Sequence, residues 1–305
     1  MSPPVILDLD RSVRGIADAT RSSDVAWQQA IRFGCSMRCL RALGAKLAEQ
    51  LPARHPIVFL GSGDFHHVSF LLIELASQAQ PLDVVVFDNH PDNMRFPFGI
   101  HCGSWVRRVT ELSNVGHVHV IGITSTDVAA ARFWENYQTP LWRGRLTYWC
   151  IGADFAWARR LPCRTAFRTF ADPQALLHAF AEHQARATMP VYLSVDKDVL
   201  SASVVRTNWD QGVMLERDLQ AGIRILGGRL VACDITGEVS RCHYAQAWKR
   251  WLTARDAQPE FRADEVLRLQ GQHGDLNQRL LRELDACMRD SASTARPRAR
   301  TMRSN

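Results

Sequence analysis

Three short stretches of the chain concentrate side chains that bind metal ions. Asp88-Asn-His-Pro-Asp92 sets two carboxylates and an imidazole at alternate positions, and Ser194-Val-Asp-Lys-Asp198 repeats the carboxylate spacing. Gly61-Ser-Gly-Asp-Phe-His-His67 delivers adjacent histidines after two glycines that permit a tight turn. Alternate residues of an extended chain point the same way, so Asp88, His90 and Asp92 converge on one point if the backbone stays extended. Pro91 favours that form at His90 and blocks a helix. Mostly oxygen donors with a minority of imidazole suit hard to borderline cations, and four or five carboxylates neutralise two divalent ions. Two such ions about 3.5–4 Å apart share bridging carboxylates, acidify a water between them and polarise the bond it attacks. That is hydrolase chemistry. Singly, each acid is equally well explained as a cap or a surface charge, and His66 or His67 as a packing histidine; the joint pattern is what points to a metal centre.

These residues need a frame that brings distant segments together. Val- and Ile-rich runs at 57–60, 83–87, 118–122, 191–195 and 230–233 read as strands, and the longer segments 66–79, 103–112, 126–136, 172–187 and 214–226 as helices between them. The runs are continuously apolar, which implies burial on both faces and hence a mostly parallel sheet with helices on either side, a three-layer α/β fold. In such sheets ligands bind beyond the carboxyl ends of the strands, which is where all three motifs fall. Trp27–Leu51 reads as one helix with Cys35 and Cys39 on a common face, packed there in preference to holding a structural zinc. Residues 241–288 read as closing helices, so 1–288 is expected to be a single domain.

The three motifs resemble those of the ureohydrolases, the arginase and agmatinase family, which carry Gly-Gly-Asp-His-Ser, Asp-Ala-His-x-Asp and Ser-x-Asp-x-Asp in this order. The resemblance covers roughly residues 57–240 and implies an arginase-like fold with two manganese ions per chain. By this analogy His66, Asp88, Asp92 and Asp196 hold one ion, and Asp88, His90, Asp196 and Asp198 the other. The resemblance also implies a proton-handling histidine at His101, in His101-Cys-Gly-Ser104, and a glutamate for the cationic end of the substrate at Glu238, with Asp234 as competitor. Asp198 is expected to orient the nucleophile. The substrate expected is a small molecule of guanidino or amidine type, and homo-oligomers are frequent in the family.

The chain also departs from the pattern. Phe65 separates Asp64 from the histidines, so His67 competes with His66 as ligand; Val199-Leu-Ser-Ala202 replaces the Asp-Pro that follows the third motif; and Thr207-Asn-Trp-Asp-Gln-Gly212 stands in a loop expected to face the substrate. Neither arginine nor agmatine is therefore transferred as substrate. Two rival readings remain. Ile6-Leu-Asp-Leu-Asp10-Arg-Ser12 imitates the signature of aspartyl-phosphate phosphatases but lacks their downstream acidic pair. Alternatively, an arginase-like fold keeps its metal as structure and binds a partner through Trp105, Trp134, Trp142, Trp149, Trp157 and Trp209.

Composition bounds the rest. With 305 residues, 46% of them hydrophobic, the chain can bury a full core. The net charge of +6 hints at nucleic acid until it is located: residues 289–305 hold five arginines against Asp290, leaving +2 for the remainder. This Ser-, Ala-, Pro- and Arg-rich segment reads as a disordered basic tail, and nucleic acid is not expected as a partner. No run approaches the roughly eighteen apolar residues of a membrane span, and the first residues lack signal-peptide character. A cytoplasmic protein is expected, with its eight cysteines reduced.

Overall fold

The computed structural model describes residues 3–22, 24–51, 57–254 and 258–294. Among these, the strands are β1 (Val5–Leu7), β2 (Thr20–Ser22), β3 (Gly34–Cys35), β4 (Ile57–Ser62), β5 (Leu82–Phe87), β6 (Ile100–His101), β7 (Val115–Ile123), β8 (Leu146–Ile151), β9 (Phe167–Phe170), β10 (Val191–Asp196) and β11 (Leu230–Glu238). The helices are α1 (Gln28–Ile31), α2 (Met37–Gln50), α3 (Ser69–Ala79), α4 (Val106–Thr110), α5 (Thr139–Trp142), α6 (Pro173–Gln184), α7 (Glu216–Leu226), α8 (Ala247–Thr253) and α9 (Ala263–Thr294). Nine strands form one sheet in the order β2-β1-β4-β11-β10-β5-β7-β8-β9, every pairing parallel. The five apolar runs are its central strands, and the sequence pattern misses the two strands on either flank, β2 and β1 on one side and β8 and β9 on the other.

Continuous hydrophobicity has the expected cause. Along β5, Val84 and Val86 enter one apolar cluster while Val85 and Phe87 enter the other; β4 divides Val58 and Leu60 from Ile57 and Phe59 in the same way. Leu40, Leu43 and Leu47 of α2, with α3 and α4, cover the first face. Leu176 of α6, Ile223 of α7 and Leu280 of α9 cover the second. The result is the three-layer α/β arrangement.

Two helix expectations give way. The span Trp27–Leu51 is interrupted: Phe33 takes a left-handed φ of 67°, β3 follows, and Ser36 caps α2 by accepting from the Cys39 amide. Cys35 and Cys39 therefore share no helix face. The break earns a pairing, because β3 runs antiparallel to β6 and the Cys102 amide donates to the Phe33 carbonyl, so the loop carrying His101 is pinned to the strand-exit end. Residues 126–136 form only two single 3-10 turns, Thr126–Val128 and Phe133–Glu135. Their backbone bonds the 93–95 loop instead, through Arg95 N–H to Glu135 O and Tyr137 N–H to Asn93 O. Helix α9 continues to Thr294, past the boundary expected at residue 288; residues 295–305, most of the expected disordered tail, lie outside the described residues. Among the described residues no helix is long and apolar enough to cross a membrane.

Candidate metal centre

The order of the sheet sets the site. The chain runs from β4 across to β5 and later returns to place β10 and β11 between them, so the exits of β4, β5 and β10 face one crevice. At the first exit a 3-10 turn, Gly63–Val68, carries His66 inward. Its Nδ1 lies 3.2 Å from Asp88 Oδ2, 3.0 Å from Asp92 Oδ2 and 3.5 Å from Asp196 Oδ2. Its Nε2 is 3.0 Å from Ser194 Oγ, which itself donates to Asp234 Oδ1 at 2.7 Å. Ser194 thus accepts from His66 Nε2–H, and Nδ1 is the ring nitrogen turned toward the carboxylates.

At the second exit the chain does not keep the extended form expected of it: it bends at Asn89 and His90, and the His90 amide donates to Asp88 Oδ1 at 2.6 Å. His90 Nδ1 reaches Asp198 Oδ2 at 3.0 Å and Asp88 Oδ1 at 3.5 Å. Asp92 adopts a left-handed φ of 45°, and its Oδ2 accepts from Trp105 Nε1 at 2.6 Å. At the third exit the Asp198 amide donates to Asp196 Oδ1, and the Asn89 amide donates to Asp198 Oδ1. Two ligand-forming trios result, His66–Asp88–Asp196 and Asp88–His90–Asp198, with Asp88 common to both.

The trios floor a cavity of about 380 Å³ walled by Phe33, Phe96, His101, Trp209 and Leu252, with Arg95, Asp127 and Asp210 toward its mouth. Four buried carboxylates at one spot repel one another. Burial, then the charge of Asp88, pushes Asp92 and Asp198 up to about 7 each, and Asp196 is raised well above the usual range by burial and Asp198. Burial opposes charge on His66 and His90, yet the carboxylates win and raise both. Asp88 Oδ2 has no well-aligned hydrogen-bond donor. A pocket of this kind demands positive charge, and two oxygen-rich trios with an imidazole each fit a pair of divalent cations.

No protein-family model matches the chain. An uncharacterized protein of Thermotoga maritima is 29% identical over 189 residues, 62% of this chain and 60% of that protein, so the chain spans less than two thirds of its relative's length. Among solved structures, the agmatine ureohydrolase of Thermoplasma volcanium matches with TM-score 0.53 and 14% identity over 92% of this chain and 76% of that one. The proclavaminate amidino hydrolase of Streptomyces clavuligerus gives TM-score 0.49 and 16% identity over 84% and 70%. The fold is that of the ureohydrolases.

On this ureohydrolase-like frame some of the expected residues assemble and others do not. His66 enters the site, whereas His67 is buried outside both trios, where burial lowers it to about 3. Phe65, the inserted residue, packs in the core with Arg32 over its ring. Asp92 stands beside His66 but not within either trio. His101 lines the cavity wall; burial lowers it to about 4, and its Nδ1 accepts from the Gly103 amide at 3.1 Å. With Nδ1 taken up as an acceptor, Nε2 carries the ring's N–H.

Glu238 does not meet the cavity. Its Oε1 accepts from Lys197 Nζ at 2.6 Å and Asn277 Nδ2 at 2.7 Å, and Oε2 lies 3.3 Å from His273 Nδ1. A fully buried carboxylate neutralised by its own lysine has no capacity for a substrate cation, so that role is withdrawn. Asp234 is equally committed, to Tyr192, Ser194 and Ser69. Asp10, the second acid of the phosphatase-like signature, is tied to Ser12, Arg32 and Ser240 away from the cavity. The six tryptophans share no surface: Trp105 and Trp149 are core, Trp157 is half-buried against the first apolar cluster, Trp134 and Trp142 are exposed, and Trp209 lines the cavity. The residues that sequence reasoning missed are Asn89 and Asp210, each at a departure from the family's motifs.

Proposed function

We propose that the chain is a hydrolase that holds two divalent ions, manganese, and cleaves a non-peptide C–N bond in a small guanidino or amidine-type molecule. The observation that carries this reading is Asp88, whose two oxygens face separate ligand trios on the floor of one cavity. When bound, the ion pair supplies an acidified water and polarises the carbon it attacks. His66 and Asp196 would complete one ion's trio, His90 and Asp198 the other's, with Asp92 adjoining the first. Asp198 is set for orientation, since its Oδ1 is held by the Asn89 amide while Oδ2 faces His90. His101, on the cavity wall, would pass its Nε2 proton to the leaving amine, the role that the resemblance assigns it. The aromatic wall of Phe33, Phe96 and Trp209 suits a flat group and limits water.

One observation favours a second reading, a metal-retaining binding protein: the carboxylate that the resemblance assigns to the substrate's cationic end is spent on Lys197. Both readings require metal. Elemental analysis of protein purified without chelator should find close to two manganese per chain, lost in Asp196→Ala, and only the hydrolase reading expects manganese-dependent turnover across a panel of guanidino and amide compounds. Protein that takes up no metal after manganese loading would sink both.

A further inference from the structure

Two departures from the ureohydrolase motifs meet in space. Asn89 replaces alanine in the second motif, and Asp210 lies 121 residues further on in the loop Thr207–Gly212, yet Asn89 Nδ2 donates to the Asp210 carbonyl at 3.1 Å and to its Oδ2 at 3.3 Å. The other carboxylate oxygen of Asp210 lies 2.8 Å from His90 Nε2, the ring nitrogen that faces away from the ligand trio. Asn89 is buried and rigidly set. Its Oδ1 accepts from the Thr124 amide and hydroxyl, and its own amide holds Asp198.

We infer that Asp210 is the positioning residue for His90, held in place by Asn89, and that this Asn89–Asp210–His90 chain prepares the second cation site. The inference rests on the two-ion reading. A carboxylate on Nε2–H keeps the lone pair on Nδ1, turns the ring toward Asp88 and Asp198, and makes it a stronger ligand. On the other side of the centre the Asp234–Ser194 relay does the same for His66, so each histidine has its own anchoring carboxylate.

The loop is built to hold that aspartate still. The Gly212 amide donates to the Asp198 carbonyl at 2.7 Å, and Gln211 Nε2 spans the Leu200 and Val205 carbonyls. A Cβ on Gly212 would come within 2.5 Å of the Val199 carbonyl oxygen, so the close approach excludes any side chain there. The loop is thus clamped to the strand exit that supplies Asp196 and Asp198, and carries Asp210 back over His90.

The test is manganese titration of the full chain by calorimetry, with electron paramagnetic resonance of the loaded protein. Wild type should bind two ions and show an exchange-coupled pair. In Asp210→Ala the second ion should weaken about 10–100-fold while the first is unchanged, and the spectrum should become that of an isolated ion. Asp210→Asn, nearly isosteric and safe for the fold, should show the same loss in smaller degree. Asn89→Ala should weaken the second ion as well, and Asn89→Ala with Asp210→Ala should be no worse than Asp210→Ala alone. Two ions of unchanged affinity in both Asp210 variants would overturn the inference and leave the two-ion reading standing. Wild type that binds fewer than two ions would overturn both together.

Discussion

Replacing Glu238 separates a structural role from a substrate-binding one. Its carboxylate and the Lys197 ammonium are 1% and 0% exposed and 2.6 Å apart, and α9 joins them through Asn277 and His273. Burial alone would lift the Glu238 carboxyl, but Lys197 and His273 hold it below its ordinary value, while burial draws Lys197 down against the attraction of the same carboxylate. Glu238→Ala therefore strands an ammonium in the core with a neutral imidazole for company. Removing one partner of a buried pair costs about 3–5 kcal/mol, because the remaining charge is uncompensated. For a chain of this size that is a fall of roughly 5–8 °C in Tm. Urea unfolding followed by circular dichroism, on metal-free protein, reads the difference directly. Replacing both residues by apolar ones of similar volume, Lys197→Met with Glu238→Leu, should recover most of the loss. If Glu238→Ala unfolds within about 1 kcal/mol of wild type and only weakens the KM for a cationic substrate, the pair is not structural and Glu238 belongs to the substrate after all.

Other expected outcomes follow from the same geometry. Ser194→Ala removes the acceptor of His66 Nε2–H and its link to Asp234, so the ion beside His66 should weaken about 10–100-fold by calorimetry while the ion beside His90 keeps its affinity. At the opposite end of the sheet, burial lowers His117 to about 4, and its Nε2 lies 2.9 Å from Thr147 Oγ1. An unfolded histidine titrates near 6.5, so the unfolded chain binds more protons between the two values and stability falls as pH falls through this window. His117 should contribute about 1–2 kcal/mol of loss between pH 7 and 5, and His117→Gln should flatten the urea-midpoint profile by that amount; an unchanged profile would mean that the ring charges in place.

The sequence by itself determined what neighbours along the chain can encode. Runs such as Asp83–Phe87 announce strands buried on both faces, and residues 88–92, 194–198 and 61–67 announce ligands at strand exits, because strand burial and the ligand-rich segments that follow the strands are local properties. Asp88 as the shared carboxylate was reachable by resemblance alone. Tertiary structure decided the rest. Whether His66 or His67 enters the site depends on the 3-10 turn that accommodates Phe65, and the interruption at Phe33 is rewarded only by a strand more than sixty residues away. Glu238 reads as a free acid until Lys197, 41 residues before it, is seen against it in the core. Asn89 and Asp210 carry no signal of partnership until the sheet brings the exits of β5 and β10 together. Charges and hydrogen bonds are satisfied in space, not along the chain, and a buried group's role is set by whichever distant partner the fold delivers.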